Sequence, residues 1–251
     1  MSGLKGKSVI VTGGGSGIGR AAVELLCHSG ARVTVADLNE EGGNAVVRSV
    51  ASGSGRAQFV RTDVSSEDSV KALVAAAVSA YGRLDGAINA AGVVQHWKRV
   101  HEISTPEWDF VVNINLRGMF FCLKHQIAAM LETGGGAIVA VASIAANLGF
   151  PMSGEYCASK AGVMGLVRAA ATDYAKAGIR VNALLPGSTR TPMVERALAT
   201  KPKELGGPIA VPTGRMAEPA EMANGAVWMI SDEASFMTGS ALTLDAGMSI
   251  V

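Results

Sequence analysis

The chain has 251 residues, 49% of them apolar and 17% charged, with a formal net charge of +1. This composition supports a buried core, excludes a disordered chain and leaves no basic footprint for nucleic acid. No apolar run reaches the roughly 18 residues of a membrane helix, the opening MSGLKGKSVIVTG has no apolar signal core, and Cys27, Cys122 and Cys157 are widely spaced; free thiols in the cytoplasm are expected.

The first predicted strand, Ser8–Thr12, runs into a glycine-rich stretch. A triphosphate loop would need Lys and Ser/Thr where Arg20 and Ala21 stand. Gly13, Gly17 and Gly19 instead give Gly-x-x-x-Gly-x-Gly, wider than the common dinucleotide fingerprint. The physics is the same: a tight turn, room for pyrophosphate and a helix N-terminus facing it. The second strand, Arg32–Asp37, ends in a carboxylate 18 residues beyond Gly19, where an acid that binds the adenosine ribose is expected. Asp37 would accept both ribose hydroxyls and repel a 2′-phosphate. Ser16 and Leu38 flank that pocket without positive charge, so NAD is favoured over NADP.

Further strands are predicted at Ala57–Arg61, Leu84–Asn89, Ala137–Ser143, Ile179–Leu185 and Ala241–Asp245. Between them lie helix-length stretches, among them Ser65–Tyr81, the apolar run Phe110–Leu131 and the core-like Met222–Ile230. The strands are nearly continuous apolar runs, as expected when helices cover both faces. The pattern predicts an α/β fold, a Rossmann-type doubly wound parallel sheet of about seven strands flanked by helices. Residues 1–251 read as one dinucleotide-binding and catalytic domain. The stretch Pro186–Pro219 carries six prolines after the sixth strand and is expected to form a mobile flap.

Tyr156 and Lys160 stand four positions apart, on one face of a helix. A free tyrosine is too weakly acidic to act as a base near neutrality, and a neighbouring ammonium would stabilise its phenolate. Ser143, at the end of the fifth strand, could hydrogen-bond a substrate oxygen. The four histidines (His28, His96, His101 and His125) show no metal-ligand spacing, so no metal is expected.

With TGGGSGIG at Thr12–Gly19, Asp37, TDV at Asp63–Val64, NAAG at Asn89–Gly92, INLRGMF, Ser143, Tyr156-x-x-x-Lys160 and RVNALLPGSTRTPM in this order, the chain resembles the short-chain dehydrogenase/reductase family over essentially its whole length. The resemblance implies a tetrad: Ser143 polarises the substrate oxygen, Tyr156 transfers the proton, Lys160 holds the ribose and lowers the Tyr156 pKa, and Asn115 supports a water-linked relay. Asn115, directly before LRG, fits the family position rather than Asn113. The resemblance further implies that Asp63 and Val64 lie beside adenine, that Asn89 lies beside the adenosine ribose, and that Ile18, Ala90 and Gly92 also contribute to the cofactor site. Pro186, Gly187, Thr189 and Thr191 would lie near the nicotinamide. VAVAS and LDAG depart from the family's frequent VNISS and DGG without touching a chemical role.

Family geometry implies a substrate pocket of Gln95, Trp97, Leu148, Phe150 and Met152, mostly apolar, with His96 and Glu155 able to orient polar substituents. A homotetramer joined through the helices that carry Asn115 and Tyr156 is implied too. The expected activity is NAD(H)-dependent hydride transfer to or from a mostly apolar, cyclic or aromatic, secondary alcohol or ketone, in the pattern of cyclic-alcohol and dihydrodiol dehydrogenases. A 3-oxoacyl carrier-protein reductase is the alternative, disfavoured by Asp37 and by Gly134, Ala137 and Thr172 where family arginines would sit. A catalytically silent dinucleotide sensor is disfavoured because all four tetrad side chains are retained.

Overall fold

The computed structural model describes residues 1–205 and 211–250. Seven strands form one sheet: β1 (Ser8–Thr12), β2 (Arg32–Asp37), β3 (Arg56–Arg61), β4 (Gly86–Asn89), β5 (Gly136–Val141), β6 (Ile179–Pro186) and β7 (Ala241–Leu244). All pairings are parallel, in the order β3-β2-β1-β4-β5-β6-β7.

Side chains alternate between the two sheet faces, and both faces are covered. Ile10 and Ile138 enter a core with Leu73, Met130 and Val163. Val9, Val11 and Val139 enter a second core with Leu26, Val227 and Met229. The first core lies under α3 (Glu67–Tyr81), α5 (Gly118–Leu131) and α6 (Gly154–Tyr174). The second lies under α1 (Gly17–His28), α2 (Glu40–Ser49) and α8 (Pro219–Ile230). This arrangement is the doubly wound sheet that the alternating apolar runs predict. None of the helices among the described residues is long and apolar enough to cross a membrane.

Three differences from the sequence expectations bear on the site. First, β5 ends at Val141, so Ser143 lies beyond the strand and caps a 3-10 turn, Ile144–Ala146. Second, the run Phe110–Leu131 is not one regular helix. A π-turn over Asn113–Arg117 separates α4 (Thr105–Val112) from α5, and the register change places Asn115 in the interior. Third, Pro186–Pro219 contains a helix, α7 (Pro192–Ala199), with Thr191 as its N-cap and Pro192 in the first turn. Residues 206–210 of that stretch lie outside the described residues.

The chain reverses direction across the sheet between β1 and β4, where Thr12 pairs with Asn89. In such sheets a crevice opens at the carboxyl ends of the strands at this point.

Candidate active site

The crevice is a cleft of about 330 Å³. One wall is the turn between β1 and α1. Gly13 has φ +66°, and a Cβ there would lie 2.8 Å from the Ala91 main-chain nitrogen; at Gly19 a Cβ would collide with the Gly13 carbonyl. The turn is therefore as close to the β4 loop as glycine allows. Ser16, the N-cap of α1, makes no side-chain capping bond. The first N–H groups of α1 thus lack that partner and are available to an oxyanion in the cleft.

Asp37 sits at the end of β2. Its Oδ2 accepts the Gly15 N–H at 2.9 Å and its Oδ1 accepts the Asn39 N–H at 2.9 Å. Each carboxylate oxygen retains a lone pair for a ligand hydroxyl. Leu38, 55% exposed, stands beside it, and Asp63 and Val64 line the same end of the cleft. The Asp63 carboxylate is oriented by the Ser65 N–H at 2.9 Å and the Ser65 hydroxyl at 2.6 Å.

The opposite wall carries Ser143, Tyr156 and Lys160. Ser143 Oγ accepts the Ala145 N–H at 3.1 Å, which fixes its rotamer, and its hydroxyl is near enough to act on the Tyr156 phenol. Burial pushes the Tyr156 phenol above its ordinary value; the Ser143 hydroxyl opposes that shift and nearby Cys157 adds to it. Lys160, one helical turn on, is 6% exposed and donates from Nζ to the Val141 carbonyl at 3.0 Å. Burial pushes its ammonium down to about 8. Nζ lies 5.7 Å from the centre of the Tyr156 ring. Asn115 is buried behind this wall: Oδ1 accepts the Val93 N–H at 2.8 Å, and Nδ2 donates to Val93 O at 2.9 Å and to Ser159 Oγ at 3.2 Å. Ser159 in turn donates to the Tyr156 carbonyl at 2.8 Å. A continuous polar chain therefore links the π-turn, the Val93 loop and the backbone of α6.

Residues 13–249 match the family model described as enoyl-(acyl carrier protein) reductase. The chain is 51% identical over 255 residues to a 2,5-dichloro-2,5-cyclohexadiene-1,4-diol dehydrogenase of Sphingobium indicum, covering 100% of both sequences. It is 41% identical to a cis-4-hydroxycyclohexanecarboxylate dehydrogenase of Sinomonas cyclohexanicum, covering 96% of each. The solved structure of levodione reductase superposes with a TM-score of 0.91 at 35% identity, covering 98% of each chain. The chain belongs to the short-chain dehydrogenase/reductase family. It is an oxidoreductase, and the family works with a nicotinamide dinucleotide. The close glycine turn, the uncapped start of α1 and the Asp37 carboxylate fit such a group.

This dehydrogenase brings most of its expected site residues to one cleft. Gly13, Ser16, Gly17, Ile18 and Gly19 line it, as do Ala90 and Gly92, and Pro186, Gly187, Thr189 and Thr191 form its far rim. Asn89 is placed differently, with its amide exchanging two 2.9 Å bonds with Gln126 inside the core. Gln95, Trp97, Leu148, Phe150 and Met152 do not line the cleft. They lie on chain segments that continue from its lining residues Val93 and Ser143. Leu148 and Phe150 pack against the first core, and the Trp97 indole N–H donates to the Ala197 carbonyl on α7 at 3.2 Å. Trp97 and Met152 both have left-handed backbones, φ +57° and +54°, an arrangement that side-chain-bearing residues adopt at a cost and that clusters at ligand sites.

Among the lining residues that the sequence did not single out are Ile114, Met193, Val194 and Arg196. The last three share α7, and their one sequence signal is that they follow Thr191 within two turns. Glu155 is also more unusual than its sequence context suggests. It is fully buried beside Tyr156, and its Oε1 accepts the His96 N–H at 2.8 Å and lies 3.3 Å from His96 Nδ1. Its Oε2 has no hydrogen-bond partner among the described residues.

Proposed function

We propose that this protein is an NAD-dependent dehydrogenase of secondary alcohols borne on six-membered carbocycles, with Tyr156 as general acid/base. The observation that carries this reading is the Ser143–Tyr156–Lys160 cluster at one end of a cleft whose other end holds Asp37. Relatives named for a cyclohexadiene diol and a hydroxycyclohexanecarboxylate support the substrate class.

When bound, the dinucleotide supplies the hydride acceptor for alcohol oxidation. Ser143 holds the substrate hydroxyl through its side chain and sets the reacting oxygen against Tyr156. Tyr156 takes the hydroxyl proton at its phenolate oxygen as the carbonyl forms. Lys160 holds positive charge within the wall, which opposes the effect of burial and draws the Tyr156 phenol toward working pH. Asn115 fixes Val93 and the start of the substrate loop, and offers a path for a water-linked relay. Asp37 accepts the ribose hydroxyls and excludes a 2′-phosphate by charge. In the reducing direction each proton step reverses.

Three further points belong to this reading. The segment 186–219 acts as a flap over the substrate. The exposed side chains of Trp108, Phe110 and Phe120 on α4 and α5 suit a homotetramer joined through these helices and α6. The compartment is the cytoplasm, in keeping with three free cysteines.

The test is NADH or NADPH formation with cyclohexanol, a cis-cyclohexadiene diol and acyclic secondary alcohols, for the parent protein and Tyr156→Phe. The reading requires turnover of a ring alcohol with NAD⁺ that falls at least about a thousandfold in the Phe variant. Preference for NADP⁺ with an acyl thioester would move the assignment to a carrier-protein reductase.

A further inference from the structure

Arg196 lies on the second turn of α7 and lines the cleft, yet its side chain has no hydrogen-bond or ion-pair partner among the described residues. Other arginines near the site are engaged: Arg20 with Glu24 at 2.8 Å, Arg190 with Glu218 at 3.1 Å and Arg215 with Glu221 at 2.7 Å. The cleft itself carries four charged side chains: Asp37, Asp63, Lys160 and Arg196. Lys160 is committed to the Val141 carbonyl in the wall. The glycine turn offers main-chain N–H groups to an anion but no cation. Among the described residues, an anionic group that enters this cleft meets two carboxylates and one uncommitted cation, that of Arg196.

The helix that carries Arg196 is also anchored by the loop that follows Val93. The Trp97 indole N–H donates at 3.2 Å to the carbonyl of Ala197, the residue next to Arg196. The same carbonyl accepts the Thr200 hydroxyl at 3.1 Å. Trp97 makes this bond from a backbone at φ +57°, so the loop holds a costly conformation where it reaches α7.

We propose that Arg196 is an oxyanion anchor for ligands in the cleft, and that Trp97 is the positioning residue that holds α7 so that Arg196 faces them. The proposal builds on the dinucleotide reading above. Two oxyanions fit its chemistry: the pyrophosphate of the dinucleotide and a carboxylate on the substrate ring. A guanidinium recognises both through paired N–H donors.

Binding measured by calorimetry, without turnover, separates the sources. ADP-ribose and adenosine are titrated onto the parent protein, Arg196→Met, Arg196→Lys and Trp97→Phe. Cyclohexanecarboxylate and cyclohexanol are then titrated onto the protein saturated with NAD⁺. If the pyrophosphate is the ligand, Arg196→Met weakens ADP-ribose on the order of tenfold, flattens its salt dependence and leaves adenosine unchanged. Trp97→Phe then weakens ADP-ribose to a lesser degree, again without touching adenosine, whereas general loosening would weaken both. If a substrate carboxylate is the ligand, Arg196→Met weakens cyclohexanecarboxylate alone, and Arg196→Lys restores part of the loss in either case. Unchanged affinity for both ADP-ribose and cyclohexanecarboxylate in Arg196→Met overturns the proposal. Failure of the parent protein to bind ADP-ribose at all would instead count against the dinucleotide reading itself.

Discussion

Asp37 Oδ2 accepts the main-chain N–H of Gly15 at 2.9 Å, which ties the acid at the end of β2 to the glycine turn after β1. One hydrogen bond thus joins two adjacent strand ends at this part of the cleft, and under the proposed function the carboxylate's charge selects the dinucleotide. Asp37→Ser combined with Leu38→Arg replaces a negative charge by a positive one next to the ribose. The expected outcome is a switch from NAD⁺ to NADP⁺, with the ratio of kcat/KM values moving by about a hundredfold or more. Steady-state kinetics with both cofactors checks it. Asp37→Ala alone is expected to weaken NAD⁺ about tenfold and to leave the maximal rate nearly unchanged.

Lys160 gives a pH signature. Its ammonium lies at about 8 in the folded protein against an ordinary value of 10.5. That difference corresponds to roughly 3 kcal/mol against the charged form. The unfolded chain therefore binds more protons than the folded one between pH 8 and 10.5, and stability gains from this group as pH rises through that window. Burial of Cys27 and Cys122, pushed up to about 11 and about 12, acts in the opposite sense once the unfolded thiols ionise near pH 9. The lysine contribution is therefore cleanest between pH 8 and 9. Urea unfolding of the ligand-free protein should show stability rising there for the parent and flat for Lys160→Met. The same variant should unfold at higher urea at pH 7 while losing nearly all activity. Residual alcohol oxidation should have its ascending limb displaced to higher pH, because Tyr156 loses the charge that favours its phenolate.

What the sequence discloses about this molecule is what depends on short-range spacing. The glycine interval from Gly13 to Gly19, the acid at the end of β2 and the Tyr156–Lys160 interval are each fixed within one turn or one strand, so periodicity places them. The alternating apolar runs reveal the doubly wound sheet for the same reason. Features that arise from contacts between distant segments are hidden. Asn115 is held by Val93, 22 residues away, and that contact coincides with a π-turn that no local pattern announces. Arg196 is exposed, and only the placement of α7 puts it on the rim of the cleft, while Trp97 reads as a pocket side chain until its indole meets Ala197, 100 residues on. Ser143 misses the predicted strand end by two residues, because β-branched and small apolar residues continue the strand pattern into the 3-10 turn.

Glu155, expected to orient polar substituents of the substrate, is instead fully buried and does not line the cleft. A fully buried carboxylate with one unpartnered oxygen costs stability, and its compensation is the bonding of Oε1 to the main chain and ring of His96. Glu155→Gln keeps an acceptor for the His96 N–H at nearly the same size, so thermal unfolding should be little changed. Glu155→Ala leaves the His96 N–H without a partner and opens a cavity. A loss of about 2–4 kcal/mol is expected, measured by chemical denaturation. Because His96 adjoins Trp97, the Ala variant should also raise KM for the alcohol more than it lowers kcat.

Asn115 should behave in the contrary way, with chemistry more sensitive than folding. Its carboxamide satisfies both the N–H and the C=O of Val93 and reaches Ser159, whose hydroxyl meets the Tyr156 carbonyl. Asn115→Asp retains an acceptor for Val93 N–H, but it replaces the donor to Val93 O by an oxygen and sets a charge in the core. Asn115→Ser is smaller and neutral, and it leaves room for water to bridge the freed Val93 groups. The Ser variant is therefore expected to fold with a loss of about 1–2 kcal/mol. Its kcat should fall by at least about tenfold with little change in the affinity for NAD⁺. Equal activity of Asn115→Ser and the parent would remove Asn115 from the proton path and leave it a purely structural clamp on the Val93 loop. The decisive readout is the solvent isotope effect on kcat, which should rise in Asn115→Ser if proton delivery has become slower than hydride transfer.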